Sequence, residues 1–135
     1  MKLTANKIFN MYDALMKLSK LDLSLVTAIT IADNIDSIST PYKVISDKRD
    51  ACIQKYAKKD ADGNYEVPED NPGAIIIENV KEYMEEMNKI FEVDIDIDLK
   101  EFSLEGEKIT ITPADILALR PLIKVSEKTD KDEKN

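Results

Sequence analysis

Apolar residues recur along this chain with two different periods, and the longer-lived one is helical. Ile8, Met11, Tyr12, Leu15 and Leu18 step by three and four, which places them on one helix face. Thr4 stands before this run and is its expected N-cap. Ser19-Lys20-Leu21-Asp22 reads as a short turn. A longer run extends from Ser24 to about Lys58. Ile31, Ile35, Ile38, Tyr42, Ile45, Arg49, Cys52 and Tyr56 alternate steps of four and three, a heptad seam with Arg49 as its polar interruption. Val26, Thr27, Ile29, Thr30 and Ile31 are β-branched and by local propensity suit a strand. The helical period persists through them and far beyond, so the run predicts one long helix. Pro41 removes a backbone donor, so Thr40-Pro41 either kinks this helix or caps and restarts it. From Leu23 to Ile38 the apolar residues spread over about half the circumference, wider than a one-sided helix requires. That width calls for a second cover, from elsewhere in the chain or from another subunit.

Asp60-Ala61-Asp62-Gly63-Asn64 is a turn cluster, and a loop continues through Pro68, Asn71, Pro72 and Gly73. Ile76, Val80, Tyr83, Met87 and Ile90 then predict a helix from about Ile75 to Phe91 that packs against the long one. Glu78, Glu82, Glu85 and Glu86 lie mainly off its seam. The period next switches to two. Val93, Ile95, Ile97 and Leu99 alternate with Asp94, Asp96 and Asp98, the clearest strand signal in the chain. Lys108 to Thr112 alternates Ile109 and Ile111, and the two runs are expected to pair as an antiparallel ribbon about Glu105-Gly106-Glu107. Thr112-Pro113-Ala114-Asp115 opens a short helix with Ile116, Leu117, Leu119 and Ile123 as its apolar side and Pro121 as its limit. The expected fold is a mainly helical α+β domain over residues 1–125. It has long helix hairpins, a short antiparallel β-ribbon and a short C-terminal helix, followed by a disordered charged tail at 126–135.

Composition narrows the chemistry. The 135 residues include no histidine, one cysteine and three glycines, and the net charge is −8. Without histidine the commonest general base and the commonest transition-metal ligand are missing. A single cysteine permits no internal disulfide and suits a reducing cytoplasm. No apolar run approaches the roughly 20 residues of a membrane span, and the polar opening lacks the apolar stretch of a signal peptide. A surface this acidic repels phosphate backbones and anionic lipid. Direct nucleic-acid or membrane binding is therefore not expected.

Each candidate site has a plainer reading. Asp60, Asp62 and Asn64 resemble the start of a calcium loop, but Tyr65 stands where the sharp turn needs glycine and Asn71 where a bidentate glutamate belongs. A polar turn ending a helix accounts for them. Asp94, Asp96 and Asp98 stand roughly 7 Å apart along a strand, too far to share one ion easily, and guard an edge against aggregation. Glu85-Glu86 and Glu105/Glu107 show no sign of the apolar cleft that paired catalytic carboxylates need. Cys52 lies on the apolar seam and reads as a buried, inert thiol. Arg49 either reaches solvent or pairs with an acid on a facing helix. None of the three glycines sits in a phosphate-loop arrangement. No catalytic, metal or cofactor-binding residue is expected.

One further pattern is the order of segments. Met1-Lys2-Leu3-Thr4, Ile8-Phe9-Asn10 and Leu15-Met16-Lys17-Leu18 are followed by the long helix and by Lys58-Lys59-Asp60-Ala61-Asp62-Gly63-Asn64. Val93-Asp94-Ile95 and Ile111-Thr112-Pro113-Ala114-Asp115-Ile116-Leu117-Ala118-Leu119 complete it. This order resembles a family of small, functionally uncharacterised proteins of phages and prophages of Gram-positive bacteria, from Met1 to about Ile123. It departs from that pattern at Ser39-Thr40-Pro41. The resemblance implies a viral context and no catalytic residues. The expected function is a non-enzymatic accessory or assembly role through contact with a phage or host protein, in the bacterial cytoplasm or on the virion. The alternative is a small acidic inhibitor that mimics nucleic acid toward a host defence or nucleic-acid enzyme. Ile31, Ile35, Ile38, Tyr42, Glu78, Glu82 and Glu85 form the candidate interaction surface, and a homodimer through the long helix would supply its second cover.

Overall fold

The computed structural model describes residues 1–124, so the expected tail lies outside the described residues. In chain order the elements are β1 (Lys2–Thr4), α1 (Ala5–Leu18), α2 (Leu25–Tyr56), α3 (Val80–Phe91), β2 (Asp94–Asp96) and α4 (Pro113–Leu119). This is the mainly helical α+β architecture that the two periods predict.

Thr4 ends β1 in an extended conformation, and its Oγ1 accepts a hydrogen bond from the Lys7 N–H at 3.2 Å, which caps α1. Behind that cap, Ala5, Ile8, Met11, Ala14, Leu15 and Leu18 are buried. Each large aliphatic side chain among them contributes about 1.5–3 kcal/mol of transfer free energy, before the entropy of ordering is subtracted.

Helix α2 is unbroken from Leu25 to Tyr56, with Pro41 inside it. The β-branched run is overridden because the seam behind it is buried. Ile31, Ile38, Ile45, Cys52 and Tyr56 are buried, and Ile35, Tyr42 and Arg49 are half-buried. Pro41 therefore neither ends nor restarts the helix; it leaves the Ser37 carbonyl without its helical donor. Helix α1 packs antiparallel along the seam. The Tyr42 ring stacks on Phe9 and Tyr12, with centroids 5.1 Å and 3.9 Å away. The Arg49 guanidinium lies 5.2 Å from the Phe9 ring centre and pairs with Asp50, its neighbour in the same helix, at 3.0 Å. Arg49 is thus held by an aromatic face across the hairpin and not by a facing acid.

Helix α3 packs antiparallel on the C-terminal half of α2. Tyr83 meets Tyr56 edge-on at 5.9 Å, Glu86 meets Lys55 at 2.7 Å, and Ile90 lies beside Ile45. It starts at Val80, later than the expected Ile75, because the preceding backbone is committed elsewhere. The Lys58 N–H donates to Ile76 O at 2.8 Å and the Glu78 N–H to Tyr56 O at 2.7 Å. Asn79, at φ 52°, then turns the chain into the helix.

The antiparallel ribbon exists, but its partners differ from expectation. β2 pairs with β1, placing Leu3 opposite Ile95, and not with residues 108–112. The Ala5 N–H donates to Val93 O at 2.8 Å and the Ile97 N–H to Met1 O at 2.9 Å, which extends the pairing at both ends. The following segment is tied to α2 and to the C-terminal end instead. The Phe102 N–H donates to Leu122 O, and the Lys124 N–H to Phe102 O, both at 2.8 Å. Ile109 and Ile111 still pack against the core. Helix α4 begins as expected, with Thr112 Oγ1 accepting from the Asp115 N–H at 3.2 Å and Pro113 in the first turn. Its buried anchor is Leu119, with Leu122 buried just beyond its end, whereas Ile116 and Leu117 are exposed.

Candidate interaction surface

The seam residues expected to meet a partner are core residues. Ile31 and Ile38 are 1% and 0% exposed. Ile35 and Tyr42 are half-buried against α1, Tyr42 within the aromatic stack. No partner reaches Ile31 or Ile38 without opening the helix hairpin, which corrects that part of the candidate surface, while Ile35 and Tyr42 keep only a half-exposed edge. Glu78, Glu82 and Glu85 are exposed. Glu78 precedes α3, while Glu82 and Glu85 stand on it. The seven residues do not make one face.

Other apolar residues of α2 do reach solvent. Leu25 is 75% exposed, Val26 77% and Ile29 51%, and Leu21 in the preceding turn is 39% exposed. At about 100° per residue, Leu25, Val26 and Ile29 centre on the side of α2 opposite the buried seam. From Leu23 to Ile45 the only charged residues are Asp33, Asp36 and Lys43. Asp33 is already engaged, pairing with Lys100 at 2.8 Å. The width of the apolar arc was the signal for this patch. Its regular inner half, with Ile31 and Ile38, is buried within the chain.

The flank of α2 is covered from within the chain. Asn34, 1% exposed, binds the backbone of Lys100, and α3 covers the C-terminal half. Where α2 and α3 diverge from β2 they leave a groove of about 390 Å³ with an aliphatic floor of Ile45, Ile90 and Ile95. A wider cleft of about 760 Å³ separates α1 from α4. Lys17 spans part of it, 3.4 Å from Asp115 and 3.5 Å from Asp13. The Asp115 hydrogen bond raises the Lys17 pKa above its ordinary value.

One cluster of titratable groups joins α2 to α3. Glu86 Oε1 accepts from Lys55 Nζ at 2.7 Å and from the Tyr56 hydroxyl at 3.3 Å. The Lys55 hydrogen bond holds the Glu86 carboxyl below its ordinary pKa, with the Cys52 thiol also contributing. Burial pushes the Cys52 thiol up, and so does the Glu86 carboxylate beside it. Burial likewise raises the Tyr56 hydroxyl. These directions keep Glu86 charged and Cys52 protonated near neutral pH. A general acid or a thiolate nucleophile needs the reverse.

The acidic turn is satisfied locally. Asp60 Oδ1 accepts from the Asp62 N–H at 2.9 Å and the Asn64 N–H at 3.0 Å, and Gly63 takes φ 85° to close the turn. Asp94, Asp96 and Asp98 are all exposed, and the Met1 amino group lies 3.4 Å from Asp96. Among the described residues no group of three or more His, Cys, Asp or Glu side chains gathers as a metal site would require. No helix among them is long and apolar enough to cross a membrane. No protein-family model, curated protein or solved structure matches this chain.

Proposed function

We propose that this chain is a non-enzymatic protein of a phage or prophage that acts through protein–protein contact, as an accessory or assembly factor in the bacterial cytoplasm or on the virion. The viral context rests on the order of segments from Met1 to Ile123. The contact role rests on one observation: Leu25, Val26 and Ile29 are exposed together on the outer side of α2. Apolar side chains exposed side by side favour a contact site, and only Asp33, Asp36 and Lys43 carry charge between Leu23 and Ile45. Two copies of net charge −8 repel each other, and the stretch from Leu23 to Ile45 adds only these charges to that balance. A second copy seated there, helix against helix, is the occupant this reading favours. Light scattering at micromolar concentration tests it, with Ile29→Asp as the variant that removes the patch. We assign no cofactor and no direct nucleic-acid or membrane contact.

The second reading, an acidic inhibitor of a host defence or nucleic-acid enzyme, draws on the exposed row Asp94, Asp96 and Asp98. That row is short for a mimic of a phosphate chain, and the Met1 amino group offsets one of its charges. Binding of a basic nucleic-acid enzyme that is lost in the triple Asp→Asn variant would favour it over the apolar contact.

A further inference from the structure

We infer that the groove between α2, α3 and β2 docks an acidic amphipathic helix of a partner protein. The inference rests on the protein-contact reading above but uses a different surface. The floor is aliphatic, formed by Ile45, Ile90 and Ile95. Val44 and Val93 stand at its lips, 53% and 52% exposed. Helices α2 and α3 form two of its walls, and a third helix packs between two others by setting its side-chain ridge into the space they leave. A helix-in-groove complex reads apolar anchors at steps of three and four, which an aliphatic floor of this kind accepts.

Charge decides the chemistry of the occupant. Lys48 on α2 and Lys89 on α3 line the groove and are exposed. Neither belongs to an ion pair among the described residues. Glu86 also lines the groove, but its Oε1 is occupied by Lys55 and Tyr56. Strand alternation directs Asp94 and Asp96 to the side of β2 opposite Ile95. Glu85 lies one turn before Lys89 without pairing to it. In a chain of net charge −8, this groove therefore joins an apolar floor to two uncommitted ammonium groups. Carboxylates flanking the apolar stripe of the incoming helix meet both lysines; a basic helix is repelled by them.

The test uses fluorescence anisotropy with the full chain at low salt. One labelled alanine-based helical peptide carries leucines at i, i+3, i+4 and i+7 flanked by glutamates. Its counterpart carries lysines in place of the glutamates. The glutamate peptide is expected to bind saturably, and the lysine peptide at least tenfold more weakly. Lys48→Glu with Lys89→Glu should weaken the glutamate peptide tenfold or more, and Val44→Asp should do the same. All three positions are exposed, and an unchanged melting temperature shows that the variants fold. Absence of saturable binding, equal binding of the two peptides, or binding indifferent to the lysine substitutions would each overturn the proposal. Ile29→Asp should leave peptide binding unchanged, so failure here is distinct from failure of the contact assigned to the outer face of α2.

Discussion

Asn34 holds the backbone of Lys100 as a neighbouring strand would. Its Nδ2 donates to Lys100 O at 2.8 Å, and its Oδ1 accepts from the Lys100 N–H at 2.8 Å. This reciprocal pair fastens the segment after β2 to the flank of α2. Asn34→Leu keeps the number and branching of the side-chain heavy atoms and removes both bonds, leaving the Lys100 N–H and carbonyl without these partners. The expected loss is about 2–3 kcal/mol in denaturant unfolding. The nearby Asp33–Lys100 ion pair is largely solvated, so Asp33→Asn should change stability by less than about 0.5 kcal/mol. Equal effects from the two variants would show that the amide pair is not the fastening.

Ile38 is fully buried where α2 meets the rest of the core. Ile38→Asp places an unpaired charge there and should destabilise by roughly 3 kcal/mol or more. A variant that melts like the parent would mean that the seam does not form the core.

Pro41 leaves the Ser37 carbonyl without its helical donor in the middle of an otherwise continuous helix. Pro41→Ala restores that donor at a position whose neighbours already accept helix geometry. An increase in stability of about 1 kcal/mol or more is expected in thermal unfolding, within the roughly 3 kcal/mol that separates the two residues in helix interiors. A loss of stability would mean that the proline sets a shape that the α1 and α3 contacts need.

Glu86 has its folded-state pKa lowered, so the stability it contributes is present above the unfolded value, about 4.3, and is lost as pH falls through the folded value. The stability gap between the parent and Glu86→Gln should be widest near neutral pH and should shrink below about pH 4. A gap that does not change with pH would remove the carboxylate from the link between α2 and α3. Cys52 is buried and its thiol is held protonated, so thiol reagents should label the native chain far more slowly than the unfolded chain. Equal labelling rates would place the thiol at the surface.

The helices were legible because their apolar period runs long enough to outweigh local objections. The seam from Ile31 to Tyr56 overrode both the β-branched run and Pro41, since burying it is worth more than a few unfavourable propensities and one lost hydrogen bond. β2 was legible from its alternation, but its partner was not. β1 is three residues long, too short to show a period, and is paired because the chain enters α1 beside Val93. Asn34 left no signal either, because a polar residue inside an apolar arc looks the same whether it meets water or a backbone. The same limit explains the candidate site. Ile31, Ile35, Ile38 and Tyr42 were the most regularly spaced residues, and regular spacing marks the face a helix buries. Leu25, Val26 and Ile29 fell out of phase with the seam, which is why they remain exposed.

The contact assigned to the outer face of α2 is tested most directly by the mass of the chain in solution. Multi-angle light scattering across micromolar concentrations should give about twice the 15.3 kDa of one chain. Ile29→Asp should return the mass to that of one chain at unchanged melting temperature, because Ile29 is half exposed within the chain. A single-chain mass for the parent at every accessible concentration, or a dimer that survives Ile29→Asp, would contradict the account.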